Sequence, residues 1–172
     1  DCENLTTISI PKVTTIGDYA FEYCYKLAEI KYDGTLTLPG SYGINSDARV
    51  IKPGDESVLY KDSNGLVYFE YEDNKYKVHS YQGTNQVVTI PAKFNGGDVT
   101  EIREYAFYNC TNLTTVTMSE VTTIGNDAFA GCDNLTTVTM PKVTTIGSHA
   151  FEECRGLTTV TLPEVITIGC GA

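Results

Sequence analysis

The sequence predicts a solenoid of stacked parallel strands, and three observations predict it. One segment recurs every 22 residues: CTNLTTVTMSEVTTIGNDAFAG from Cys110, CDNLTTVTMPKVTTIGSHAFEE from Cys132, and CRGLTTVTLPEVITIGCGA from Cys154. The same unit, CENLTTISIPKVTTIGDYAFEY, begins at Cys2 and hands over to Cys24 at the same spacing. Within each unit apolar residues alternate with threonine, which is the period of a strand buried on one face. Self-similarity at a fixed period marks units that cannot bury their apolar side alone and do so by stacking.

The unit reads C-x-x-L-x-x-[VI]-x-[LIM]-P-x-V-x-x-I-G-x-x-A-F-x-x, and its parts follow in order. Val138 and Met140 alternate with Thr137 and Thr139, so this stretch is a strand, and proline ends it. Val143 and Ile146, followed by Gly147, predict a second short extended segment closed by a glycine turn. Ala150, Phe151 and Cys154 are spaced to fit one short helical or 3-10 turn. Stacked units pair strand to strand about 4.7–4.9 Å apart, giving a parallel sheet over a continuous core.

The repeat is interrupted once. After Cys24 the unit starts with Leu27, Ile30 and Tyr32 and then dissolves into turn formers. LVYFEY and KYKVHSY, around Glu72-Asp73-Asn74, predict a β-hairpin. From Val87 the unit resumes with Asn95-Gly96-Gly97 inserted. Residues 1–32 are thus expected to be the end of a first array, 33–86 an irregular junction with the hairpin, and 87–172 a second array in one elongated domain. No polar capping unit flanks the repeats, as expected of a fragment of a longer protein.

Ile16-Gly17 to Cys24, Ile124-Gly125 to Cys132 and Ile146-Gly147 to Cys154 all fit I-G-x-x-A-F-x-x-C, each after an L-x-x-[VI]-x-[ILM] strand. This phasing resembles the BspA-like, or Treponema pallidum-type, leucine-rich repeats of bacterial cell-surface proteins and some parasitic protozoa. YKVHSYQGTNQVVTIPAKFNGGDVTEI is similar to the lead-in of an array in that family, and VIKPGDESVLYK to its closing segment. The resemblance implies a curved, right-handed leucine-rich-repeat solenoid on a secreted or surface-attached protein, often an adhesin. It brings no catalytic residue and no cofactor.

Composition narrows the function. A net charge of −10 with only 12 Lys and Arg argues against nucleic acid as a partner. No apolar run reaches the roughly 20 residues of a membrane span, and Asp1-Cys2-Glu3-Asn4 has no signal-peptide pattern, so the expectation is a cytosolic chain or one whose signal has been removed. Cys2, Cys24, Cys110, Cys132 and Cys154 share one repeat position and, with Phe21, Phe107, Phe129 and Phe151, are expected to form buried, reduced core ladders. Zinc prefers ligands clustered as C-x₂₋₄-C, so no metal site is expected there. Cys170 replaces the polar residue after the repeat glycine and is expected to be exposed.

The threonines offer the candidate binding face. Thr115 and Thr117, Thr137 and Thr139, and Thr159 and Thr161 flank an inward valine, and stacking sets them in two ladders. Strand propensity alone accounts for β-branched residues on a solvated face. The functional reading is a docking surface for a protein or glycan partner, and an ice-binding array is the remote one. The aromatic hairpin of Tyr68, Phe69, Tyr71, Tyr76 and Tyr81 is the next candidate. The alternative to a binding module is an unrecognised enzyme, for instance a hydrolase, but His79 and His149 are the only histidines and the phasing does not bring them together. Asp62-Ser63-Asn64-Gly65 lacks the rest of a calcium loop and reads as a turn. Asn4, Asn112 and Asn134 each begin an N-L-T sequon at one repeat position, and Asn109 begins N-C-T.

Overall fold

The computed structural model describes Cys2, residues 5–16, 20, 21, 24, 27, 29–31, 49–51, 59–72 and 74–172. It comprises two compact units, Asp1–Ser57 and Val58–Ala172. In the first, β1 (Thr7–Ser9), β2 (Glu29–Lys31) and β3 (Arg49–Ile51) form a parallel sheet in that order. Ile8 pairs with Ile30 one 22-residue period later, and Ile30 with Val50. Buried Cys24, Leu27 and Ile30 make its core, with Leu5, Ile8, Ile10 and Phe21 packed against them. Most of the stretch expected to be irregular between 33 and 58 lies outside the described residues.

The second unit starts with β4 (Leu59–Lys61), β5 (Leu66–Glu72) and β6 (Lys75–Tyr81). β5 and β6 form the antiparallel hairpin, turned at Asn74 with φ 56°. Asp62 builds the preceding turn: its Oδ1 accepts the N–H groups of Asn64 (2.8 Å) and Leu66 (2.9 Å), and its Oδ2 accepts the Tyr68 hydroxyl (3.1 Å). The repeats then supply β7 (Val87–Ile90), β8 (Lys93–Phe94), β9 (Gly97–Ile102), β10 (Thr115–Met118) and β11 (Thr123–Ile124). β12 (Thr137–Thr139), β13 (Thr145–Ile146) and β14 (Thr167–Ile168) complete them.

Two sheets result. One is ordered β12-β10-β7 and the other β14-β13-β11-β9-β6-β5-β4, with β8 beside β9. Repeat strands pair in parallel with a strict 22-residue register, as in Val116 with Val138 and Ile124 with Ile146. β6 pairs in parallel with β9, so the hairpin extends the second sheet past the first repeat rung. Between the sheets lie buried Val88, Ile90, Val116, Met118, Val121, Ile124, Met140 and Val143. Aromatic rings run through the stack: Tyr81, Phe107, Phe129 and Phe151 lie face to face at successive centroid separations of 5.2, 4.8 and 5.3 Å.

The Ala-Phe corner is not helical, which corrects the expected helical or 3-10 turn: among the described residues there is no helix of either kind. Alternate backbone N–H groups face opposite ways. Those of Tyr105, Phe107 and Asn109 donate forward to the carbonyls of Asn126, Ala128 and Ala130 on the next rung, while Tyr108 and Cys110 close turns onto Tyr105 and Phe107. Asp127, Phe129 and Gly131 repeat the pattern onto Ser148, Ala150 and Glu152. Left-handed backbone makes this possible. Tyr105, Asp127, His149 and Gly171, one repeat position, have φ of 57°, 51°, 55° and 65°, and Asn109, Gly131 and Glu153 form a second such column. A helix keeps its N–H groups within the segment, whereas here they bind rung to rung.

At the repeat glycine the rungs leave no room for a side chain. A Cβ on Gly147 would stand 2.5 Å from the backbone nitrogen of Asn126.

Candidate functional site

The two threonine ladders lie on the outer face of the β12-β10-β7 sheet. Thr115 pairs in register with Thr137, and Thr117 with Thr139, and on the other side Thr117 meets Thr89 and Thr115 meets Val87. Val116 beneath them is buried and Val138 partly so, while Thr137 and Thr139 are exposed and Thr115 and Thr117 half-buried. Thr159 and Thr161 are exposed but belong to no strand, and the last rung contributes only β14 to either sheet.

Neighbouring threonines do a different job. The hydroxyls of Thr114 and Thr136 donate to the carbonyls of Gln86 and Thr114 at 3.0 and 3.1 Å, and those of Thr122 and Thr144 to Thr100 and Thr122 at 3.2 Å. These bonds tie rung to rung. The hydroxyls of Thr115, Thr117, Thr137 and Thr139 have no side-chain hydrogen bond among the described residues, and Thr137 and Thr139 are exposed, with donor and acceptor both open to a partner. Sequence reading singled out the outward set but missed that repeats of Thr one position earlier serve the backbone.

The cysteine and phenylalanine columns are unevenly covered. Cys24, Cys132 and Cys154 are buried, Cys110 is partly exposed, and Cys170 is exposed. Cys2 is exposed, which corrects its place among the buried ladder thiols. All six cysteines are in the reduced, thiol form. The Cys132 and Cys154 thiols donate to the carbonyls of Phe107 and Phe129 at 3.1 and 3.2 Å, each on the preceding rung. Phe107 and Phe129 are fully buried, and Phe21 and Phe151 partly.

The hairpin aromatics do not form a surface patch. Tyr68, Tyr76 and Tyr81 are buried, with Tyr68 stacked on Phe94 at 4.0 Å and Tyr76 edge-on to it at 5.4 Å. Only Phe69 and Tyr71 retain part of their surface. This corrects the hairpin as a second binding face, because Tyr68 and Tyr76 pack on Phe94 and Tyr81 stacks on Phe107 within the core. Burial, then the Asp62 carboxylate, raises the Tyr68 phenol well above its usual range.

The two histidines lie apart. His79 is buried in β6, and His149 follows β13, three strands away in the same sheet. His149 instead faces Glu152, Nδ1 to Oε2 3.4 Å. No cluster of His, Cys, Asp or Glu among the described residues is arranged to hold a metal ion. Nor is any described helix long and apolar enough to cross a membrane. A shallow hollow of about 270 Å³ between Tyr108 and Arg155 is lined by Asp127, Asp133, Glu152 and Glu153. Its charge is partly answered by Arg155, 3.0 Å from Asp133 and also paired with Glu153. Asn134, one of the sequon asparagines, uses its amide to donate to the Thr111 carbonyl at 2.7 Å.

Parallel strands stacked at one 22-residue period, with Leu113 and Leu135 and then Ile124 and Ile146 buried at matching positions of successive rungs, define a leucine-rich-repeat solenoid. The model of the BspA-type leucine-rich repeat region matches residues 1–47 and 65–172 in six copies, and the chain belongs to that family. Among solved structures it is similar to the leucine-rich repeat protein of T. pallidum, with 25% identity and a TM-score of 0.59 over 64% of each chain. A leucine-rich repeat protein of Bacteroides capillosus is 29% identical over 56% of this chain and 77% of its own, with a TM-score of 0.51. A leucine-rich cell surface protein of Faecalibacterium prausnitzii shares the fold at 23% identity and a TM-score of 0.62, over 95% of this chain and 49% of its own. The chain therefore spans about half to two thirds of the first two bacterial proteins in length. No curated protein sequence matches it.

Proposed function

We propose that this chain is a non-enzymatic binding module of a secreted or cell-surface protein, and that it presents Thr115, Thr117, Thr137 and Thr139, with exposed Thr159 and Thr161, to a protein or glycan. The observation carrying this reading is the division of labour among the threonines: the hydroxyls of Thr114 and Thr136 are consumed by rung-to-rung bonds, and those of Thr115, Thr117, Thr137 and Thr139 are not. The sheet beneath is rigid, and Thr has little side-chain entropy to lose, so ordering on binding costs little. Each threonine offers a donor, an acceptor and a methyl group. Broad, individually weak contacts follow, strengthened by repetition along the face. Family membership, and the cell-surface description of the F. prausnitzii relative, support a surface location.

The experiment is an array of glycans and matrix proteins probed with the chain and with a variant carrying Thr137→Lys, Thr139→Lys, Thr159→Lys and Thr161→Lys. These positions are exposed, so the variant is expected to fold. Loss of the array signals bound by the parent supports the threonine face. Undiminished binding by a folded variant would remove it from consideration.

A further inference from the structure

We propose that Asn95 is a modification site, at which the backbone nitrogen of Gly96 attacks the Asn95 side-chain amide and water converts the residue to aspartate and isoaspartate. An asparagine followed by glycine can close a five-membered ring onto the next backbone nitrogen, because glycine has no Cβ to block the approach. The chain has two such dipeptides, Asn64-Gly65 and Asn95-Gly96. The fold opens one and clamps the other.

Asn95 and Gly96 are the two residues between β8 and β9, where Phe94 pairs with Gly97. Their φ angles, 46° and 86°, are both left-handed, as a two-residue hairpin turn requires. Both residues are exposed, and a Cβ on Gly96 would meet no atom within 4 Å. Among the described residues no backbone carbonyl accepts the Gly96 N–H. The Asn95 amide donates to the Tyr76 hydroxyl, which keeps the side chain at this turn. Gly65, by contrast, is buried. It donates its N–H to the Asp62 carbonyl at 3.2 Å, and its own carbonyl accepts the Gln82 N–H at 2.8 Å. A Cβ on it would stand 2.5 Å from the Gly83 nitrogen, so the segment has no room to swing into a ring.

In the reaction the Gly96 nitrogen loses its proton and bonds to Asn95 Cγ, the Cγ–Nδ2 bond breaks, and ammonia leaves. Water then opens the cyclic imide. Attack at one imide carbonyl gives aspartate; attack at the other gives isoaspartate, whose backbone runs through the former side chain. Water is the sole co-reactant, and nothing is oxidised or reduced. The new carboxylate adjoins the exposed Lys93–Asp98 pair, 2.6 Å apart across the same turn. Isoaspartate also lengthens the backbone of a two-residue turn and so loosens β8 from β9.

The test holds the intact chain in mildly alkaline buffer and follows both dipeptides by peptide mapping and mass spectrometry. Asn95 is expected to convert at least about tenfold faster than Asn64, because ring closure at Asn64 must first open both backbone bonds of Gly65. In denaturant the two rates are expected to converge. The product is expected to contain isoaspartate as well as aspartate, separable by fragmentation and by labelling with an isoaspartyl methyltransferase. Asn95→Gln keeps an amide but lengthens the ring to be closed, and is expected to stay intact over the same period, with circular dichroism confirming its fold. Equal rates at the two sites in the native chain, conversion of Asn95 only after denaturation, or a product free of isoaspartate each overturns the proposal.

Discussion

Replacing Phe129 by alanine probes the stacking on which the second unit rests. Phe129 is fully buried between two rings, 4.8 Å from Phe107 and 5.3 Å from Phe151, with planes 14° and 1° apart. Truncating a buried phenylalanine costs about 3–5 kcal/mol through lost transfer energy and the cavity left behind. Two stacked contacts place this one at the upper end, since each aromatic pair adds roughly 0.5–1.5 kcal/mol beyond its burial. Phe151 is partly exposed and stacked on one side, so Phe151→Ala is expected to cost roughly 1–3 kcal/mol by the same reasoning. Against a total of about 5–15 kcal/mol for a domain, the first change approaches unfolding and the second does not. Urea titration followed by circular dichroism gives both values, and amide exchange shows whether rungs open separately, as repeat arrays can. Equal costs for the two substitutions, or a cost under about 2 kcal/mol for Phe129→Ala, would refute the continuous ladder.

Three further outcomes follow from the same geometry. Thr144→Val is expected to lose about 0.5–1.5 kcal/mol by deleting its bond to the Thr122 carbonyl, while Thr137→Val stays within about 0.5 kcal/mol, both read by urea titration. A thiol reagent is expected to label Cys2 and Cys170 at once in the native chain, Cys110 slowly, and Cys24, Cys132 and Cys154 only after denaturation, as peptide mapping will show. Burial, and then the Asp127 carboxylate, push the Tyr105 phenol up to about 12. The fold therefore favours the neutral phenol. That stabilisation is present below the unfolded value near pH 10 and is lost as the pH rises towards about 12, and the decline is expected to be smaller in Tyr105→Phe by denaturation at each pH.

The 22-residue spacing of cysteines and of L-T-T-V strands was enough to specify both sheets and their register, because identical apolar alternation on successive units admits one pairing. The hairpin was legible too, from two β-prone runs around a polar turn. The Ala-Phe corner was not. Its left-handed positions hold Asp127, Asn109 and Gly131, which favour that backbone, but also Tyr105, His149 and Glu153, which mask the signal. Spacing alone made a helical turn the simpler reading. The buried hairpin rings were misjudged because a strand with apolar residues on both faces does not say which face the rest of the chain covers. Opposite charges one period apart, Glu120 with Lys142 and Asp133 with Arg155, were present in the repeats and become informative once the register is known. The solvent-facing threonines were visible as a pattern; which hydroxyls remain unengaged required the carbonyl positions of the preceding rung.

The most direct test of the threonine face is to label the threonine methyl groups, add a partner identified on the array, and follow their resonances. Binding at the proposed face shifts Thr115, Thr117, Thr137 and Thr139 first and leaves Thr123, Thr145 and Thr167 of the other sheet in place. Shifts confined to Thr123, Thr145 and Thr167, with the outer ladder unmoved, would contradict it.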